Sequence, residues 1–358
     1  MKKVIKQVVG IDVAQKELVV TFGKLEEDLA INLVAYHVFK NTEKGFDQLI
    51  LWAKKLLDDA AELRFVMEST GIYHEKFAYY MEEKGYNISV VLPNKISSYI
   101  RTLDLKTITD KTASQAIAQF GLERKLENWK RPKPILKRIK QLTRERDQLV
   151  DERSAVKNQI HAEKTEAEPV ESSLKRMQQR IKMLNKQELE IKTEINLLIA
   201  KDQELKNDIE RVQTIPGIGA LTAAIVYAET NGFELIRNKR QLTSFAGLDI
   251  KEKQSGTSVK GKPRISKRGN KHLRKAMHLP ALVAVRHDER YKGLFARLVA
   301  KHGIKMKAIT AVQRKLLELI FTLHKNKTTY NALNQEGNEF KVKEDNPEIE
   351  LPSNEAVL

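Results

Sequence analysis

No cysteine occurs among the 358 residues. Disulfides, thiolate metal sites and a cysteine nucleophile are therefore excluded, and the composition suits a reducing cytoplasm. Long apolar runs are missing too: none approaches the roughly 20 residues that a membrane span needs. The eight histidines include no HExxH or comparable ligand pair, so histidine offers no metal site of its own. The N-terminal Met1–Lys6 is basic but leads into a strand, not into a signal-peptide core. Acid is in deficit, with 47 Asp and Glu against 64 Lys and Arg. The resulting net charge of +17 points to a polyanionic partner, nucleic acid first and an anionic membrane second.

The length allows a large core and two or more domains. Residues 5–40 carry three strand-like runs, Ile5–Val13, Leu18–Phe22 and Ile31–Phe39. Thr42 then caps a helix in which Phe46, Leu49, Ile50, Ala53, Leu56 and Leu57 recur at helical spacing. A fourth strand, Arg64–Glu68, is followed by a helix from about Tyr73 to Lys84. A fifth strand, Ile88–Leu92, precedes two helical segments that end before Trp129. The order β-β-β-α-β-α-β-α is that of a ribonuclease H/RuvC-like fold, a mixed sheet flanked by helices.

From Pro134 to Val212 the chain is highly charged with a heptad repeat, Ile135, Leu142, Leu149 and Val156 falling seven apart. Pro169 divides this coiled-coil arm into two helices, paired either within one chain or between subunits, and Glu188 and Asp202 interrupt the second seam. Pro216-Gly217-Ile218-Gly219 then makes a turn into a small-residue helix, Ala220–Glu229, a helix-hairpin-helix-like arrangement. Gly217 and Gly219 there either let backbone N–H groups approach a phosphate or form a plain helix corner. Lys251–Lys275 is the most basic stretch, with ten Lys or Arg against one Glu. Lys260, Lys262, Arg264, Lys267 and Arg268 are read as nucleic-acid backbone ligands, the loop closing on a helix N-terminus at Asn270. Helices continue to about Lys325, and the polar, acidic residues 327–358 form a disordered tail.

Asp12 is a carboxylate among Val and Ile, which costs several kcal/mol unless a cation or hydrogen bonds compensate. Glu68 ends the fourth strand as Asp12 ends the first, and these strands are neighbours in the expected sheet. Asp110 caps or opens the helix that follows. Three convergent oxygen donors suit Mg²⁺, a hard ion that retains waters and takes phosphate as a further ligand.

Gly10-Ile11-Asp12-Val13-Ala14, Met67-Glu68-Ser69-Thr70-Gly71, Pro216-Gly217-Ile218-Gly219, Phe245-Ala246-Gly247-Leu248 with Gln254-Ser255-Gly256, and Ser266–Arg274 stand in order along the chain. Together, over about residues 6–325, they resemble the DEDD-type insertion-sequence transposases, a group recast as bridge-RNA-guided recombinases. The resemblance implies a RuvC-like domain (1–130), a coiled-coil arm (131–212), and a mostly helical C-terminal transposase domain (213–326) carrying a nucleophilic serine. Asp12, Glu68 and Asp110 match the first three acids of a Mg²⁺ site. The fourth acid's position is Ala113, so the site works with three carboxylates, or Ser114 or a water fills in; Asp104 lies on the wrong side of Asp110. Ser255 matches the nucleophile, with Ser258 and Ser266 as fallbacks. The implied activity is RNA-guided cutting and rejoining of DNA through a covalent phosphoserine. The implied partners are donor and target DNA, a guide RNA and further copies of the chain in a dimer or tetramer, in the bacterial cytoplasm at the nucleoid. Two other readings use the same residues: a RuvC-like metal nuclease hydrolysing branched DNA, and a non-catalytic nucleic-acid-binding protein with Ala113 marking a decayed site.

Overall fold

The computed structural model describes residues 3–58, 61–69, 71–103, 105, 107–234, 236–251, 254–255, 259–260 and 264–330. It divides into two units, residues 1–131 and 132–358.

The first unit contains β1 (Val4–Val13), β2 (Glu17–Glu26), β3 (Ile31–Lys40), α1 (Glu43–Leu56), β4 (Leu63–Glu68), α2 (His74–Glu83), β5 (Ile88–Val91), α3 (Pro93–Ile100) and α4 (Asp110–Glu123). One sheet runs in the order β3-β2-β1-β4-β5. The first three strands are antiparallel, while β4 is parallel to β1 and β5 to β4. Chain connection dictates this: Ala14 N–H donates to Glu17 O at 2.9 Å in a tight turn, whereas β4 and β5 are reached through helices. It is the mixed sheet of the RuvC-like fold. The second strand runs on to Glu26, past the apolar run that ends at Phe22, because pairing with both neighbours continues after a register shift at Phe22/Gly23.

Strand alternation sends side chains to two separate cores. Val9, Ile11 and Val13 join Leu18, Val20, Phe65 and Met67 under α1 and α2, where Phe46, Leu49, Phe77 and Met81 are buried. On the opposite face Val8 and Val66 pack with Ile96, Ile117 and Leu122 of α3 and α4. The contact between α4 and the sheet is backbone on backbone. A Cβ on Gly10 would lie 2.2 Å from the Ala118 nitrogen and 2.5 Å from the Ser114 oxygen. Beside it, the buried Ser114 and Thr21 hydroxyls hydrogen-bond at 2.8 Å, fixing where α4 crosses β1 and β2.

The second unit begins with α5 (Pro134–Thr165) and α6 (Glu171–Lys201), followed by α7 (Gln203–Gln213) and α8 (Ala220–Thr230). Then come α9 (Lys239–Phe245), the two-residue strands β6 (Ile250–Lys251), β7 (Gln254–Ser255), β8 (Val259–Lys260) and β9 (Arg264–Ile265), and helices α10 (Lys271–Ala276), α11 (His278–His287), α12 (Glu289–His302) and α13 (Lys305–Asn326). Small β6–β9 and β7–β8 ladders thus lie within the basic stretch.

The two arm helices fold back on each other within the chain. Arg138 bonds Glu194, Arg146 bonds Glu188 and Arg153 bonds Asn185, so one helix ascends as the other descends. Glu188, the apparent break in the seam, is 5% exposed and takes bonds from Arg146 (3.0 Å), Lys192 (2.9 Å) and Arg153. Burial would raise its pKa, but hydrogen bonds from Lys192, Arg153 and Arg146 overcome this and hold the carboxyl at about 2. Asp202, the second break, ends α6 and caps α7 by accepting from Leu205 N–H at 3.0 Å. A carboxyl whose folded pKa is depressed contributes stability above its ordinary value near 4.5, lost as the pH falls to about 2. Glu188→Ala should therefore cost about 3 kcal/mol at neutral pH, because Arg153 and Lys192 lose this carboxylate and Arg146 is left with Asp147. That difference from wild type, followed by urea unfolding, should shrink as the pH approaches about 2. A pH-independent difference would mean that the ion pairs do not carry it.

At its base the arm joins a single core: Leu136, Ile139, Leu142, Ile191, Ile195 and Ile199 pack with Val212, Tyr227, Leu273, Leu316 and Ile320. Residues 327–330 depart from the expected tail. Tyr330 is buried, its N–H donates to Thr214 Oγ1 at 2.9 Å, and its hydroxyl bonds Asp288, because one aromatic side chain suffices to anchor the segment. The rest of that tail lies outside the described residues.

Candidate functional site

The fold brings two of the expected acids together and leads the third towards them. Ile11 pairs with Met67 in parallel register, so Asp12 and Glu68 follow as neighbours on the face covered by α4. Both are half-buried. Burial raises the Asp12 pKa, the Asp110 charge raises it further, and a hydrogen bond from the Val13 N–H partly opposes them. Burial likewise raises Glu68, with the Asp12 charge adding to it. Asp110 is exposed at the first position of α4, and Thr109 supplies the cap in a reciprocal capping box with Thr112. It therefore opens the helix and leaves its carboxylate free of capping duty.

Among the described residues, no three His, Asp or Glu side chains converge closely enough to hold one ion by themselves. Mg²⁺ asks less than that, since it commonly takes one or two carboxylates and keeps waters or phosphate oxygens in its other positions. Two adjacent carboxylates, Asp12 raised by the Asp110 charge and Glu68 by that of Asp12, are a donor set whose excess charge a hard divalent ion would relieve. Ser114 does not replace the fourth acid, because its buried hydroxyl is committed to Thr21 and to the Lys111 carbonyl. Ala113 follows Asp110 by one turn of α4, and Asp104 lies outside the described residues.

Asn41 was not singled out from sequence. Its Nδ2 donates to Ala14 O at 3.0 Å and to Tyr73 O at 3.3 Å, and its N–H donates to Lys16 O at 2.8 Å. It ties the turn after Asp12 to the segment after Glu68, a positioning role that depends on long-range pairing and has no local signature.

In the second unit the basic motif divides into residues that anchor and residues that are presented. The segment from Ser266 to Asn270 is laced to residues 245–249: Ser266 N–H donates to Asp249 O, Lys267 N–H to Gly247 O and Asn270 N–H to Phe245 O. A Cβ on Gly269 would lie 2.5 Å from the Phe245 oxygen, so only glycine allows this approach. Asn270 caps α10 and donates to the buried Glu229 at 2.7 Å, and Arg144 grips the same carboxylate bidentately at 2.9 and 3.0 Å. His272 meets Asp147 at 3.1 Å. The Asn270 side chain is thus fully engaged inside the unit. Ser266 donates its hydroxyl to Asp249 at 2.5 Å. Arg264, Lys267, Arg268 and Lys271 are exposed and have no acidic partner among the described residues, so their charge faces outward. Gly217, at φ +88°, packs against the Pro280 oxygen and Val283 of α11, while Gly219 is open at the start of α8. Ser255 pairs with Val259 through its backbone; the side chains of Ser255 and Lys260, and all of Lys262 and Ser258, lie outside the described residues.

Two family models match in the order of these sites. A DEDD-type model of the IS110 group, described as a transposase, covers residues 9–165, and the IS116/IS110/IS902 transposase family model covers residues 209–296. The chain belongs to the DEDD-type IS110 transposases. This transposase is therefore a DNA recombination enzyme. It is 26% identical over 320 residues to the pilin gene-inverting protein of Moraxella bovis, covering 89% of this chain and 95% of the relative. It is 34% identical over 140 residues to the transposase for insertion sequence element IS1111A of Coxiella burnetii, 37% of this chain and 36% of that one. A solved structure of Thermus thermophilus RuvC with a Holliday junction substrate aligns at 13% identity and a TM-score of 0.24, covering 32% of this chain and 97% of that one. The fold assignment rests on the sheet order described above. Among the described residues no helix is long and apolar enough to cross a membrane.

Proposed function

We propose that this transposase cuts and rejoins DNA in a Mg²⁺-dependent, RNA-guided reaction in which Ser255 is the nucleophile. The observation that carries the metal reading is the pair Asp12–Glu68, adjacent across β1 and β4 with both pKa values raised. A divalent ion held there, with Asp110 nearby, would neutralise these carboxylates and polarise a phosphodiester oxygen. Asp12 and Glu68 bind and orient, and Asn41 keeps their two loops in place. The Ser255 oxygen attacks phosphorus, its proton passes to solvent, and the 3′ oxygen leaves as a free hydroxyl, conserving the bond energy in a phosphoserine ester. Arg264, Lys267, Arg268 and Lys271 supply sequence-independent backbone contacts, and base pairing by the guide RNA supplies target choice. Several copies of the chain would assemble on the DNA ends.

The test uses the full chain co-expressed with its flanking RNA, mixed with donor and target DNA and Mg²⁺ and run on a denaturing gel. A protein–DNA adduct in wild type that is lost in Ser255→Ala is the expected result. Cleaved DNA without an adduct, unchanged by Ser255→Ala, would replace the serine mechanism with hydrolysis by water.

A further inference from the structure

The sheet face that carries the carboxylates continues beyond α4. Register places Val38 opposite Val19, and Val19 opposite Asp12; Tyr36 lies opposite Thr21, and Thr21 opposite Gly10. Directly opposed residues share a face, so Tyr36 and Val38 lie on the side of Asp12 and Glu68. The fourth helix covers Gly10 and Thr21 but leaves the edge strand open: Tyr36 is 41% exposed and Val38 38%. One group reaches over it. Lys111, which follows Asp110, places its Nζ 5.1 Å from the centre of the Tyr36 ring. Lys111 has no acidic partner among the described residues.

We infer that Tyr36, flanked by Val38 and roofed by Lys111, is a platform for an unpaired base of the DNA strand whose phosphodiester the carboxylates engage. The inference rests on the reading of Asp12 and Glu68 as the phosphodiester site. An exposed aromatic ring stacks any base, and a neighbouring ammonium serves both the ring and a phosphate, the combination that single-strand-binding surfaces use. Spacing fits as well. Two inter-strand spacings separate Val38 from Asp12, about 10 Å, and Tyr36 is one further side-chain step along the edge, about 7 Å. A strand crossing the sheet from the carboxylates would therefore meet the ring within a few nucleotides. Charge favours the same occupant: Lys40 continues the row on this face and the whole chain carries +17, whereas no acidic residue occurs within β3.

The decisive measurement is ultraviolet cross-linking of the full-length protein to a short, mixed-sequence single strand bearing 5-iodouracil, with the cross-linked peptide sequenced. The cross-link should fall on the peptide containing Tyr36 and disappear in Tyr36→Ala. By fluorescence anisotropy, Tyr36→Ala should weaken binding of the same strand about 10-fold, and Tyr36→Phe, which keeps the ring, by no more than about 2-fold. Unchanged affinity and cross-linking elsewhere would overturn the platform, even where Asp12→Asn abolishes cleavage as the metal-site reading requires. Cleavage that survives Asp12→Asn would sink that reading instead, whatever happens at Tyr36. Should Tyr36→Ala change only the oligomeric state in gel filtration, the edge strand pairs with a second copy and the base platform is wrong.

Discussion

Replacing Asp12 by Asn should reduce DNA cleavage by about 10³-fold or more while making the metal-free protein more stable. The first effect follows from losing the charge of one of two adjacent carboxylates that would hold the ion neutralising the reacting phosphate. The second follows from the raised pKa values of Asp12 and Glu68. A carboxyl whose folded pKa lies above its unfolded value favours folding while it is protonated, and that advantage is lost as pH rises through the folded pKa. Burial and neighbouring charge disfavour the ionised forms, Asp110 acting on Asp12 and Asp12 on Glu68. Removing one charge should therefore add on the order of 1 kcal/mol to stability, after allowance for solvent screening of half-buried groups. Thermal melts with and without Mg²⁺ separate the two effects. Added Mg²⁺ should raise the wild-type Tm clearly and the Asp12→Asn Tm little. Equal shifts in both proteins would mean that the ion is held elsewhere.

Gly10→Ala should cost about 3 kcal/mol or more of stability. The added carbon meets backbone atoms of α4, at 2.2 Å from Ala118 N and 2.5 Å from Ser114 O, and backbone cannot rotate aside as a side chain can. The helix must lift, breaking the Ser114–Thr21 hydrogen bond and carrying Asp110 away from Asp12. Gly121→Ala on the same helix is the control. Its Cβ would meet side-chain atoms, the Val8 and Val66 methyl groups at 2.8 and 2.9 Å and the Val66 Cβ at 3.4 Å, and no backbone atom stands among these nearest contacts, so a cost nearer 1 kcal/mol is expected. Urea unfolding of both variants, with strand cleavage measured on whatever remains folded, checks the ordering. If Gly10→Ala proved as stable as wild type, α4 could not be seated on β1 in this way.

The strand alternation and the helical spacing of Phe46, Leu49 and Ala53 made the element order legible, because each reports burial within a few residues of itself. Asp12 stood out because a carboxylate among Val and Ile demands a reason. What escaped were relations between residues far apart in the chain. Nothing near Ser114 announces that it bonds Thr21, and nothing near Asn41 announces that it clamps Ala14 to Tyr73. Glu188 looked like a fault in a coiled-coil seam because its partners Arg146 and Arg153 lie on the other helix, close only once the arm folds back. Asn270 stood among phosphate-binding candidates on composition, yet its amide is spent on Glu229, a residue 41 positions away. The basic motif was legible as charge; which members face outward was not, because the lacing to residues 245–249 sets it.

Glu188 also governs how the arm can change length. Regular heptads between two antiparallel helices tolerate sliding by whole repeats, since one apolar layer resembles the next. A buried carboxylate that must meet Arg146 and Arg153 matches only one alignment. It acts as a keyed joint in an otherwise uniform rod. Distal to it, towards the hairpin tip, seven residues could be added to or removed from each helix together without disturbing the base that carries the basic motif. Arms of different reach could thus arise, or be engineered, on an unchanged catalytic body.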